Sequence, residues 1–148
     1  MEPQNRKEAD VGVDQSDLIE SLVRISFVTT AVLSRIAAEH DLSLTQMRVM
    51  AILRDRQGGM NELAAYLGLE KSTVSGLVDR AEGRGLLKRT RNPSDGRGVH
   101  VSLTDEGASL ALSGAREVAL ALSPMTSVLN GAETRRLTAL LDRMLASS

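Results

Sequence analysis

Leu63-Ala64-Ala65-Tyr66-Leu67-Gly68 reads as a short helix closed by a tight turn, and residues 70–82 read as a second helix. Gly85-Leu86-Leu87-Lys88-Arg89 then opens a strand, Asn92-Pro93-Ser94-Asp95-Gly96-Arg97-Gly98 is a polar loop, and Val99-His100-Val101-Ser102-Leu103 returns as a second strand. Helix, turn, helix and hairpin make a winged helix-turn-helix. That arrangement sets one helix in the DNA major groove with a loop beside it.

The spacing inside this stretch supports the reading. Leu63 and Leu67 are four apart and share the inner face of the first helix. Ala64 is small where two helices approach. Gly68 falls at the turn, where a positive φ is cheap only for glycine. Val74 is the first inward position of the second helix, and Leu69 and Leu77 are expected to be buried as well. At 100° per residue, Val74, Leu77, Val78 and Ala81 face the core, while Ser72, Ser75, Gly76, Asp79 and Arg80 face outward. Small hydroxyl side chains near a helix N-terminus suit base edges and phosphates, and Lys71 is placed to reach a phosphate. Asp79 either accepts from a cytosine amino group or pairs with a nearby arginine; the pairing is favoured, because direct carboxylate readout is the rarer contact. In the hairpin, Val99, Val101 and Leu103 alternate with His100 and Ser102, predicting one buried face. Arg97 near the loop tip suits the narrow minor groove, with Asp95 able to fix its guanidinium.

Outward from this centre the chain reads as helix on both sides. Gly58-Gly59 breaks the chain ahead of the motif. Before it, Ser43 or Thr45 caps a helix through about Arg54, with Met47, Met50, Ala51 and Leu53 among its apolar positions. Earlier still, Asp14 or Ser16 caps a long helix through about Glu39, striped by Leu18, Leu22, Ile25, Val32 and Ile36 with Thr29 between. Residues 1–15 read as a mobile acidic tail. After the hairpin, Thr104 caps an Ala/Leu-rich helix through about Leu122, with Asp105 and Glu106 suiting its positive end. Ser123-Pro124 is expected to kink or restart it. Asn130 and Glu133 form a capping box for a last helix through about Leu145, striped by Leu137, Leu140, Leu141 and Met144. The expected fold is mainly α with a small β-hairpin. Residues 16–148 make one domain, with the DNA-binding lobe at 43–103. Helices at 16–40 and 104–148 carry apolar stripes that need a partner.

Composition narrows the function. Phe27 and Tyr66 are the only aromatic residues, so the 42% of hydrophobic residues must build an aliphatic core. Without cysteine there is no disulfide, thiolate metal site or thiol switch, and two histidines do not make a zinc site. No catalytic residue, metal or cofactor is expected: Gly83-Arg84-Gly85 is a helix cap and turn, not a phosphate cradle. No apolar run is expected to approach the ~18 residues of a membrane span. Residues 1–10 lack the apolar core of a signal peptide, so the expected location is cytoplasmic. The net charge of -1 hides a sharp asymmetry. Residues 84–97 hold five basic residues against Asp95 alone, whereas residues 1–20 hold two basic against six acidic. The basic charge therefore sits where a wing meets phosphate.

Glu62-Leu63-Ala64, Ser72-Thr73-Val74-Ser75, Leu77-Val78-Asp79-Arg80, Gly85-Leu86-Leu87-Lys88-Arg89, the wing with Asp95 and Arg97, and Val101-Ser102-Leu103-Thr104-Asp105-Glu106-Gly107 follow in a telling order and spacing. Together they closely resemble the multiple-antibiotic-resistance regulator (MarR) family of bacterial transcription factors, from about Ser16 to the C-terminus. Asn92 and Gly96 stand where the family wing often has aspartate and arginine. The resemblance implies a triangular homodimer with interlocked N- and C-terminal helices, binding a near-palindromic double-stranded DNA site as a repressor. An activator is the nearest variant, and a winged-helix protein-interaction module without DNA binding is the alternative class. The expected DNA-facing residues are Lys71, Ser72, Thr73, Ser75, Gly76, Arg80, Arg89, Asp95 and Arg97. The resemblance also implies a small lipophilic effector between the dimer helices and the DNA-binding lobe, lined here by Phe27, Ile36, His40, Met47 and Met50.

Overall fold

The computed structural model describes residues 5–91 and 98–148, with side chains from residue 15 onward. Asp95 and Arg97 lie outside the described residues. The elements run α1 (Asn5–Glu39), α2 (Leu44–Asp55), β1 (Gly58–Gly59), α3 (Met60–Leu67), α4 (Lys71–Gly83), β2 (Leu87–Arg91), β3 (Val99–Leu103), α5 (Asp105–Thr126) and α6 (Gly131–Leu145).

The core sits in the central lobe. Leu63, Ala64 and Leu67 of α3 meet Val74, Val78 and Ala81 of α4, with Val49 and Leu53 of α2 and Leu87 and Val101 of the sheet closing the cluster. Val74, Val78 and Val101 are fully buried. The predicted inner face of the second helix is therefore the real one, and a Val78→Ala cavity here costs about 1–3 kcal/mol. Local chemistry fixes the boundaries. Ser43 caps α2 in a reciprocal box with Gln46. Gly68 closes α3 at φ 65, donating its N–H toward Ala64 and Ala65. Thr104 caps α5 by accepting from the Gly107 N–H at 3.0 Å. Asn130 and Glu133 form the expected box at α6.

Five expectations are corrected. Gly58-Gly59 is not merely a break. It forms β1, pairing antiparallel with β3 through Gly58↔Val101 and Gly59↔His100, so the hairpin becomes a three-stranded sheet in the order β1-β3-β2. Leu69 is exposed rather than buried. Its backbone N–H bonds Ala64 O at 3.1 Å to finish the α3 turn, which leaves the side chain at the rim. Along β3, Val99 is exposed and Ser102 is buried, the reverse of simple alternation. β3 is the central strand and meets α2, α3 and α5, so both of its faces are covered except at the outer end holding Val99. Pro124 neither kinks nor restarts α5, which continues to Thr126. The missing N–H falls in the last turn, where the Thr126 hydroxyl bonds Leu122 O and Ser123 O.

The fifth concerns α1, which starts at Asn5 rather than at Asp14 or Ser16. No proline lies between Asn5 and Asp14, and the lone Gly12 costs about 1 kcal/mol, too little to stop a helix. At 35 residues it is roughly 50 Å long. Its Gln15–Glu39 part is long and apolar enough, at a mean hydropathy of 1.4, to cross a membrane by length and composition, contrary to the sequence expectation. Among its described side chains the fully buried ones, Ile36 and Ala37, lie at its C-terminal end, and the helix packs against α2 and α5.

Candidate nucleic-acid interface

α4 is held by its apolar side, so its other side is presented to solvent in a fixed orientation. Lys71, Ser72, Thr73, Asp79 and Arg80 are exposed, and Ser75 and Gly76 are half-buried. The structure thus brings six of the expected DNA-facing residues, from Lys71 to Arg80, onto one outer surface. Gly76 has a specific use there. The Arg80 guanidinium folds back along the helix, its Nη1 lying 3.5 Å from where a Cβ at position 76 would stand. A small residue at 76 leaves that cation lying flat along the surface.

Arg89, also expected to face DNA, is engaged elsewhere. Its Nη2 lies 2.6 Å from Asp79 Oδ1, and its Nη1 lies 3.3 Å from Glu82 Oε1. Its backbone N–H donates to Glu82 Oε2 at 3.1 Å, and Nη2 also reaches Ser75 O at 3.4 Å. One guanidinium thereby pins β2 to α4 and neutralises the carboxylate that would repel phosphate. This decides the question left open at Asp79 in favour of the arginine. Arg84, counted within the basic cluster, is exposed but also engaged within the chain: its Nη1 and Nη2 donate to Asp41 O and His40 O at 2.7 and 3.0 Å. Lys88 and Arg91 remain exposed on β2.

A cavity of about 420 Å³ opens between the end of α1, α2 and α5. Its wall is mostly aliphatic, with no Phe, Tyr or Trp, and its polar lining consists of His40, Arg48 and Arg54. His40, Met47 and Met50 line it as expected, but Phe27 and Ile36 do not. Phe27 lies more than a turn before the α1 wall at Leu33 and is 69% exposed, while Ile36 points into the core at 1%. His40 Nε2 is hydrogen-bonded to Glu117 Oε1 of α5 at 2.9 Å, so it is a partnered rim residue rather than a solvated one. Sequence reasoning missed Glu117, Glu82 and the bonds of Arg84 to the end of α1, because partners distant along the chain leave no periodic signal.

A pinned helix with a polar outer face, beside a two-stranded wing, defines the chain as a winged helix-turn-helix protein. A profile of the MarR family matches residues 40–98. The chain is 30% identical over 105 residues to the HTH-type transcriptional regulator PecS of Dickeya dadantii, covering 68% of this chain and 63% of that protein. It spans only 38–63% of the lengths of PecS, of TtmR of Methylorubrum extorquens and of NicR of Pseudomonas putida. Among solved structures it is similar to a mutant of Escherichia coli MarR complexed with operator DNA, at 25% identity and TM-score 0.65, covering 87% of this chain and 96% of that one. CouR of Rhodococcus jostii shares the fold at TM-score 0.76 and 23% identity, covering 88% and 92%. In both sequence and fold the chain is thus similar to MarR-family proteins.

Proposed function

We propose that this protein is a sequence-specific, double-stranded-DNA-binding transcriptional regulator, acting in the cytoplasm as a homodimeric repressor and not as an enzyme. The observation that carries the reading is the outer face of α4, where Ser72, Thr73 and Arg80 stand clear, with Ser75 half-buried between them, on a helix whose other side is locked into the core. The similarity to a MarR protein solved on operator DNA supports the same use. Residues 43–103 form the DNA-reading lobe. Residues 16–40 and 104–148 supply the dimer helices: α6 buries none of its residues within the chain, and α1 exposes Ile19, Val23, Ile25, Phe27 and Val28. An amphipathic helix with no partner is marginal in water, so a second copy is the natural cover for these faces. The same pairing accounts for the membrane-like hydropathy of α1. Two lobes related by a two-fold axis read half-sites about one helical turn apart. The aliphatic cavity takes a small apolar effector whose binding releases the DNA.

Fluorescence anisotropy with the protein's own upstream intergenic DNA, against scrambled DNA of equal length and across a salt series, tests this. The expected preference is ~10³-fold or more with a steep salt slope. Equal weak binding to both sequences contradicts specific regulation by that DNA. Arg89 gives a sharper expectation. Arg89→Met leaves Asp79 and Glu82 uncompensated on the DNA side, so affinity falls roughly tenfold while the salt slope stays unchanged. A slope shallower by about one unit assigns Arg89 to a phosphate instead.

A further inference from the structure

Three helix ends meet at Arg84-Gly85-Leu86. α1 closes through Asp41, held in the left-handed region at φ 56, with the Leu42 N–H bonded to Ala37 O at 2.8 Å. The last carbonyls of a helix carry the negative end of its dipole, and α1 has no basic residue in its last turn. Arg84, the C-cap of α4, supplies that charge from another element through its two bonds to His40 O and Asp41 O. From the third side, the hydroxyl of Thr104, which caps α5, donates to Gly85 O at 2.6 Å. His40 ties this junction to the cavity, because its side chain lines the wall and bonds Glu117 of α5.

We infer that Arg84 is a positioning residue that carries displacements of α1 and α5 around the cavity to the C-terminal end of α4, so that cavity occupancy resets the angle of the reading helix. The cavity is walled by residues of α1, α2 and α5 and of the turn between α1 and α2, and by none of α4. An occupant therefore reaches α4 only through contacts with those elements. Apolar contacts slide, whereas a planar guanidinium gripping two carbonyls of one helix end moves with it. The inference rests on the DNA reading proposed above and adds how the cavity communicates with it.

A double-mutant cycle tests it, with Ala111→Phe filling the cavity, Ala115→Leu as the gentler filler should the first fail to fold, and Arg84→Met removing the donors while keeping the stem. Two readouts are taken on each protein: amide hydrogen exchange across α4 without DNA, and affinity for the preferred DNA. With Arg84 present, the filler is expected to change both by about tenfold; in the Arg84→Met background it changes them less than about twofold. Equal effects of the filler in both backgrounds overturn the inference, as does a folded filler that changes neither readout when Arg84 is present. A salt slope shallower by about one unit in Arg84→Met makes Arg84 a phosphate ligand and also overturns it. Should no DNA be preferred while α4 exchange still responds only with Arg84 present, the DNA reading fails and the coupling stands. The opposite pattern, intact DNA preference with unresponsive α4, removes the coupling alone.

Discussion

Gly107→Ala melts about 10 °C below the parent protein, because among the described glycines its added methyl group would make the closest backbone contact. A Cβ at position 107 would stand 2.0 Å from Leu86 O and 2.9 Å from Leu86 C, both backbone atoms that cannot swing aside. The same Leu86 carbonyl accepts from the Thr104 N–H at 3.1 Å and from the Thr104 hydroxyl at 3.2 Å. Making room therefore lifts the first turn of α5 and breaks its capping bonds together. Overpacking of this kind costs about 3 kcal/mol, which for a chain of this size corresponds to roughly 10 °C. Gly83→Ala is the internal control. Nothing lies within 4 Å of its added Cβ, and the position is helical, so alanine is expected to stabilise by up to about 1 kcal/mol. Thermal melts of both variants by circular dichroism, at one protein concentration, should move in opposite directions. A Gly107→Ala protein that melts with the parent contradicts the close approach of α5 to Leu86.

The second large effect is on assembly. Leu137 and Leu141 lie four apart on α6 and are 43% and 36% exposed in the single chain. In a symmetric dimer the double variant Leu137→Glu/Leu141→Glu replaces four such leucines with carboxylates. At about 1 kcal/mol or more for each, the dissociation constant rises by at least about three orders of magnitude. Sedimentation velocity at micromolar concentration should then show monomer where the parent shows dimer. Because α4 and its core are untouched, the monomer keeps weak binding to a single half-site. A variant that sediments with the parent means that α6 is covered by something other than the partner's helices.

Much of the central lobe was legible because it obeys short-range rules. A 3.6-residue burial pattern placed Val74, Leu77, Val78 and Ala81 inward, and they are buried. A glycine at the turn was required by its positive φ. What escaped was information carried by distant partners. β1 consists of two glycines with no side-chain pattern, and it is a strand only because Val101 and His100 lie opposite. Charge counting found the basic cluster but not its directions. Arg84 bonds backbone carbonyls and Arg89 bonds two acids, so less of that charge is unengaged than its sum implied. Val99 and Ser102 broke the alternation because helices, not sequence period, decide which part of β3 is covered. His40, Met47 and Met50 line the cavity, while Phe27 and Ile36 lie away from a wall that begins further along α1 and at another angle. Gly107 was recognised as part of a family pattern, and its physical reason appeared only with Leu86 beside it.

The pairing of Gly58 with Val101 has a topological consequence. The backbone leaves the helical frame at β1, builds α3, α4 and β2, and returns along β3 within one strand spacing, roughly 5 Å, of where it left. Entry and exit are thus neighbouring strands of one small sheet, stitched by main-chain hydrogen bonds that do not depend on which side chains are displayed between them. The winged-helix lobe is a cassette whose two chain ends share one seam, with the Arg84 and Thr104 bonds bracing it against α1 and α5. Selection can rewrite the outward residues of α4 without disturbing the frame, and can lengthen or reshape α6, which buries none of its residues in the chain, without disturbing that outer face.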